Sequence, residues 1–179
     1  MTYHYFYLPF LSPLINMFIL EPDYIDLLRH LREKMEEPLQ FLREEWESGV
    51  KIKYPVYSMG GIELWMNHYS DFDLAKKKFE ERRERINWDN LLVMLHTQDP
   101  KIAEAFEELP FKKKVCLTNF ETDLPSSLYL KICEHPIFKG RETWRYVTGI
   151  ASGAYVYYDP WEMLMKGIPN ADWIEGVRV

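Results

Sequence analysis

Two histidines, His68 and His96, stand in polar clusters directly after short apolar runs. An imidazole has its ordinary pKa near neutrality, so either ring can take up or release a proton in a reaction. The run Ile62 to Met66 is followed by Asn67, His68 and Tyr69. Leu91 to Leu95 is followed by His96, Thr97, Gln98 and Asp99, and Val115 to Leu117 by Thr118, Asn119 and Glu121. On this pattern His68 and His96 are the candidate acid/base groups, with Asp99 available to orient an imidazole. Asn67, Thr118 and Asn119 are candidate ligand contacts. A plainer account stands beside this one: Asp99 caps a helix opened by Pro100, and the histidines are ordinary polar residues at strand ends.

Cationic and acidic motifs divide in the same way. Lys76-Lys77-Lys78, Arg82, Arg83 and Arg85 form a basic stretch, and a guanidinium matches the oxygens of phosphate or carboxylate in a fork, so Arg82 and Arg85 are candidate contacts to an anionic group. Glu80, Glu81 and Glu84 interrupt the stretch, which equally describes a solvated helix laced with local ion pairs. Asp71-Phe72-Asp73 has the spacing of a carboxylate pair that holds a divalent ion on a diphosphate, yet helix capping explains it without metal. Cys133-Glu134-His135 is too contiguous to converge on one ion, and no Cys-x-x-Cys pair completes a tetrahedral site, so no metal is predicted. Cys116, inside an apolar run, reads as an inert small hydrophobe. No glycine-rich phosphate loop or Gly-x-Ser-x-Gly elbow occurs, and the cofactor is left open.

The elements that must carry these residues follow from periodicity. Leu14 to Leu20 is a seven-residue apolar run and reads as a buried strand, ended by Glu21-Pro22-Asp23. Asp23 is then expected to cap a helix with Tyr24, Leu27, Leu28, Leu31 and Met35 inward, and a second helical piece is expected from Leu39 to Trp46. Tyr54 to Met59 and Ile62 to Met66 flank Gly60-Gly61 as two short strands or a hairpin. Asp71 to Ile86 reads as a surface helix. Leu91 to Leu95 is apolar throughout, as strands buried on both faces are. A helix from Pro100 and a strand at Val115 to Leu117 follow. Strand and helix in alternation predict an α/β fold: a mostly parallel central sheet with helices on both faces. Ligands of such sheets bind at the carboxyl ends of the strands, where the polar clusters fall. From Leu128 the alternation breaks, and an irregular, aromatic-rich C-terminal extension is expected, with extended segments at 129–132, 144–147 and 155–158 and a short helix at 161–166.

Composition bounds the alternatives. With 179 residues, 22 Lys or Arg, 28 Asp or Glu and a net charge of −6, the chain has no global field for a phosphate polymer, so nucleic acid is not expected as a partner. No apolar run approaches the roughly 20 residues that span a bilayer, so no integral membrane segment is expected. Two distant cysteines and no export signal lead to a cytoplasmic reading. One α/β domain over 1–179 is expected.

Three stretches resemble a known family. They are Leu8-Pro9-Phe10-Leu11-Ser12-Pro13-Leu14 through Ile19; Asn67-His68-Tyr69 through Ala75, Phe79, Arg82-Arg83 and Arg85-Ile86-Asn87-Trp88-Asp89-Asn90; and Leu109-Pro110-Phe111 through Val115. Together they resemble DUF1919, bacterial proteins often labelled as exopolysaccharide biosynthesis proteins, over roughly residues 8 to 135. The resemblance implies an α/β domain associated with surface-polysaccharide assembly and no established reaction. It also implies a first strand ending in a Ser-Asn-Asn-Cys-like turn ahead of Thr2-Tyr3-His4-Tyr5, which this chain is expected to lack. Phe79 stands where the family is expected to carry Trp. The leading functional expectation is a glycosyl- or acyl-transferase-like enzyme acting on a nucleotide sugar or a glycan intermediate. A non-catalytic accessory protein that binds a glycan or partner is the competing class, an acyl- or phospho-group transferase the third. The subunit count is left open.

Overall fold

A computed structural model of the chain describes residues 12–46 and 52–130. Their contacts fall into two compact units, Phe10–Trp88 and Asp89 onward, each with its own sheet.

In the first unit, the apolar run before Glu21 is not a strand. Asn16 adopts φ +62°, which breaks an extended backbone, and only Phe18 makes an isolated bridge, to Trp65. Helix α1 (Glu21–Arg29) starts two residues before the expected Asp23, because Pro22 suits the first helical turn, where its missing N–H costs nothing. Asp23 lies inside that turn, and its Oδ2 accepts a hydrogen bond from Glu63 N at 3.2 Å. His30, at φ −122° and ψ 33°, separates α1 from a short α2 (Leu31–Glu36). Glu37 is extended ahead of Pro38, as steric contact with the proline ring demands.

The helix expected at Leu39 to Trp46 is instead strand β1 (Gln40–Trp46). Its charged residues pair along β2 (Lys53–Met59), and the half-buried residues Arg43 and Glu45 alternate with exposed Glu44 and Trp46, a period of two rather than 3.6. The hairpin to β3 (Ile62–Trp65) forms as expected, because Gly60 and Gly61 both take positive φ, at 55° and 82°, as a two-residue turn of this kind requires. The turn makes β3 antiparallel to β2. The residues after β3 therefore do not leave a parallel sheet, contrary to the expectation that placed them at its carboxyl edge. Helix α3 (Phe72–Arg83) is capped by Asp71, whose Oδ1 accepts from Leu74 N at 2.9 Å. Its Ala75 and Phe79 join Leu27, Met59, Ile62, Leu64 and Met66 in one core. Met59 and Leu64 are fully buried, as large apolar side chains at the centre of a sheet face should be.

The second unit is a βαβ assembly. Strand β4 (Leu92–Thr97), helix α4 (Pro100–Glu107), β5 (Lys113–Thr118) and β6 (Ser127–Tyr129) build a three-stranded parallel sheet in the order β4-β5-β6. Val115, Cys116, Leu117 and Thr118 of the central β5 are all buried, as a strand covered on both faces requires. Leu128 was expected to begin the break in pattern, yet β6 continues the sheet. Its link from β5 contains no helix and is held by backbone bonds from Cys116 N to Ser126 O and from Ser127 N to Leu124 O. The fold is thus mixed α and β, with a parallel sheet in one unit and an antiparallel sheet in the other. The expected central parallel sheet accounts for three of the six strands among the described residues. The extension beyond 130, like the segment compared with a missing first strand, lies outside the described residues.

Candidate functional site

The parallel strands bring His96, Asp99, Thr118 and Asn119 to one edge. His96 is the penultimate residue of β4, opposite Leu117, and Thr97 lies opposite Thr118. Both strands end there, so the chain leaves the sheet through Gln98-Asp99 on one side and Asn119-Phe120 on the other. Side chains alternate along β4: Val93, Leu95 and Thr97 are buried, while Leu92, Met94 and His96 share the opposite, half-buried face. The Nε2 atom of His96 is buried and has no hydrogen-bond partner among the described residues. Burial holds this imidazole below the ordinary histidine pKa, because the charged ring would be poorly solvated. A neutral ring with an unused nitrogen is chemically competent to accept or deliver a proton.

Around it the polar residues have assigned partners. Asp99 Oδ1 accepts from Lys101 N at 2.9 Å and caps α4, while Asp99 N donates to Thr97 Oγ1 at 3.1 Å. The capping account of Asp99 is therefore realised, and no hydrogen bond joins it to His96 among the described residues. Thr118 is fully buried, and its hydroxyl donates to Phe120 O at 2.8 Å, which ties down the turn after β5. Asn119 Nδ2 reaches Gln98 Oε1 at 3.4 Å, a long contact that bridges the ends of the two strands. Gln98 was legible only as one of several polar residues after β4. Its partnership with Asn119 needs the parallel register.

The other candidates belong to the antiparallel unit. Asn67 follows β3, and its Oδ1 is buried without a partner among the described residues. His68 is exposed in the turn. Arg82 Nη1 donates to the Tyr69 hydroxyl at 3.0 Å, so this guanidinium braces α3 against the segment after β3. Arg85 Nε donates to Glu81 O at 2.8 Å, and its Nη2 lies 4.0 Å from Glu81 Oε2, which matches the account of a solvated helix with local ion pairs. Asp71 and Asp73 sit in the first turn of α3, with Asp71 as the cap. Among the described residues no group of three or more His, Cys, Asp or Glu side chains gathers to hold a metal ion, and no helix is long and apolar enough to cross a membrane.

A family model described as a domain of unknown function, DUF1919, matches residues 1–158 of the chain. The chain belongs to the DUF1919 family. The match extends past both ends of the 8–135 stretch in which the residues carried the resemblance. One relative of this DUF1919 chain is an uncharacterized protein of Haemophilus influenzae strain Rd, 30% identical over 119 residues. That alignment covers 65% of the chain and 55% of the relative, so the chain spans little more than half the length of the protein it matches. Both polar clusters of the DUF1919 chain, the one after β3 and the one after β4 and β5, lie inside the matched family segment.

Proposed function

We propose that the carboxyl edge of β4 and β5 is the working site of a cytoplasmic protein of surface-polysaccharide assembly, a transferase acting on an activated sugar or a glycan intermediate. The observation that carries this reading is the buried, unpartnered Nε2 of His96 near the end of parallel strands whose exits are joined by the Gln98–Asn119 amide contact. Buried polar atoms are nearly always paired, and an orphan at a strand end where α/β sheets bind ligands marks a place reserved for a ligand atom. In the reaction His96 takes the proton of an acceptor hydroxyl as that oxygen bonds to the activated sugar carbon and the bond from that carbon to the nucleoside diphosphate breaks, the diphosphate leaving with the electron pair. The amides of Gln98 and Asn119 and the Thr118 turn fix the acceptor's orientation.

The test is turnover of a panel of nucleotide sugars with oligosaccharide acceptors, read as nucleotide release, in the unmodified chain and in His96→Ala. Loss of one positioned acid/base group lowers the rate by about 10²–10⁴-fold. Equal rates in the two proteins would remove His96 from the mechanism. Absence of turnover with every donor would favour the accessory reading. That reading has its own support in β1, where Phe41 and Trp46 remain 53% and 59% exposed although Phe72 stacks on the first and Lys53 lies over the second.

A further inference from the structure

The two edges of the antiparallel sheet are finished differently. On β3 the outward N–H groups are taken: Trp65 N donates to Phe18 O at 2.9 Å, and Glu63 N to the Asp23 carboxylate at 3.2 Å. At the opposite edge, all seven residues of β1 are exposed or partly exposed, Leu42 among them at 45%. The direction of the β1 backbone groups follows from Pro55, which lies opposite Glu44 on β2. Pro55 O accepts from Met66 N at 3.1 Å, so Pro55 faces β3; in an antiparallel ladder the two residues of a pair face each other or both face away. Glu44 therefore directs its N–H and C=O away from β2, and Trp46, two residues on, does the same. No hydrogen bond reaches these groups among the described residues. An open strand edge of this kind is a template for a further strand.

The side chains of β1 suit one occupant, a second copy of the same strand. Outward residues of two antiparallel strands face each other, so a two-fold axis at Glu44 sets Arg43 opposite Glu45 of the second copy, twice. It also brings Trp46 beside Leu42 of the second copy, the residue that the bulge leaves without a partner on β2. Opposite charges directly across an antiparallel pair stabilise it. Three of the five N–H donors of Arg43 go to Glu45 Oε1 and to both Glu63 oxygens, each at 2.8 Å, which leaves donors for a carboxylate across the axis. Glu44 meets its own copy there, but each Glu44 carries a cation of its own chain, Lys53 Nζ at 2.5 Å. A register two residues away sets Arg43 against Arg43 or Glu45 against Glu45, so charge selects the axis at Glu44.

We infer that β1 is a dimerisation edge: two copies of the chain pair antiparallel through it about a two-fold axis at Glu44, joining two three-stranded sheets into one. The contact is small and partly ionic, so the dimer forms with concentration and loosens with salt. The experiment is sedimentation equilibrium of the full chain from about 10 µM to about 1 mM, the range in which small interfaces associate, with amide exchange at the same concentrations. The expected result is a monomer–dimer equilibrium in which the Glu44 N–H becomes protected as the dimer fraction rises, while the amides of Arg43 and Glu45, which face β2, are protected at every dilution. Glu44→Pro removes the outward donor at the axis and no bond to β2, so it abolishes the dimer with the far-ultraviolet spectrum unchanged. Glu45→Lys, which leaves the backbone as it is, turns both cross-strand attractions into repulsions and weakens the dimer by about tenfold. A monomer at every concentration overturns the inference and leaves the edge to a different chain. Protection of Glu44 that does not change with concentration overturns it too, since another part of this chain then holds the edge. A dimer that neither substitution weakens is joined through some other surface, and this also overturns the assignment.

Discussion

Glu107, the last residue of α4, ties three parts of the parallel unit together, and its removal is the most informative perturbation of that unit. Its Oε2 accepts from Ser126 N at 3.0 Å and from the Ser126 hydroxyl, just before β6. Its Oε1 lies 3.5 Å from Lys114 Nζ, at the start of β5. Glu107 and Lys114 are only 23% and 14% exposed, and Ser126 is 5% exposed, so water cannot easily replace a lost partner. A hydrogen bond to a charged group contributes about 1.5–3 kcal/mol. Two of them on one oxygen are not additive, so Glu107→Ala should cost about 2–4 kcal/mol, while Ser126→Ala, which keeps its N–H bond, should cost about 1–2. For a chain of this size the first corresponds to a fall in Tm of roughly 4–16 °C. The pH dependence has a definite sign. Burial pushes the Glu107 carboxyl up, but the two Ser126 bonds and the Lys114 charge outweigh it and leave the group below its ordinary 4.5. Its stabilising contribution is therefore present above about pH 4.5 and lost as pH falls through the folded value. Thermal melts across that range, with amide exchange at Ser126, Ser127 and Leu128, measure both effects. If Glu107→Ala melts with the parent protein, or exchange at Ser126 is unchanged, the carboxylate is not what holds β6 on the sheet.

Three further outcomes are expected. Gly60→Ala should destabilise the hairpin more than Gly61→Ala: both have positive φ, costing about 1–2 kcal/mol each, but the new Cβ at 60 would stand 2.9 Å from Lys34 Cγ, whereas nothing lies within 4 Å at 61. Chemical denaturation of the two variants decides it, and equal midpoints would contradict the close approach. The His96 ring should titrate below the ordinary 6.5 by NMR; since the unfolded chain then takes up the proton first, stability falls as pH drops below 6.5 toward the folded value, and His96→Gln should flatten that slope. Asp99→Ala should lower stability by about 1 kcal/mol through loss of the α4 cap while Asp99→Asn retains it, as judged by thermal melts; identical losses would mean that charge rather than capping geometry matters there.

Where local chemistry leaves one solution, the sequence alone was decisive. Gly60-Gly61 between two apolar runs allows a tight hairpin, Asp71 and Asp99 before helical stretches act as caps, and Pro100 fits a first turn; each of these appears in the structure. The alternation of β4, α4 and β5 likewise gave a parallel pair. Such features depend on backbone sterics within a few residues. Tertiary structure decided the rest. Leu39, Leu42 and Trp46 have helical spacing, but pairing with β2 puts Leu42 and Trp46 in a strand that begins at Gln40, because hydrogen bonds to a neighbouring strand override a weak local preference. The same antiparallel pairing makes Asn67 and His68 follow an antiparallel strand, while parallel register brought Gln98 to Asn119 and the packing of α4 brought Glu107 to Ser126, 21 and 19 residues apart in the chain. Separations of that length carry no periodic signal. Only the closing of the sheet fixes which polar groups meet, and so which of them a ligand can find.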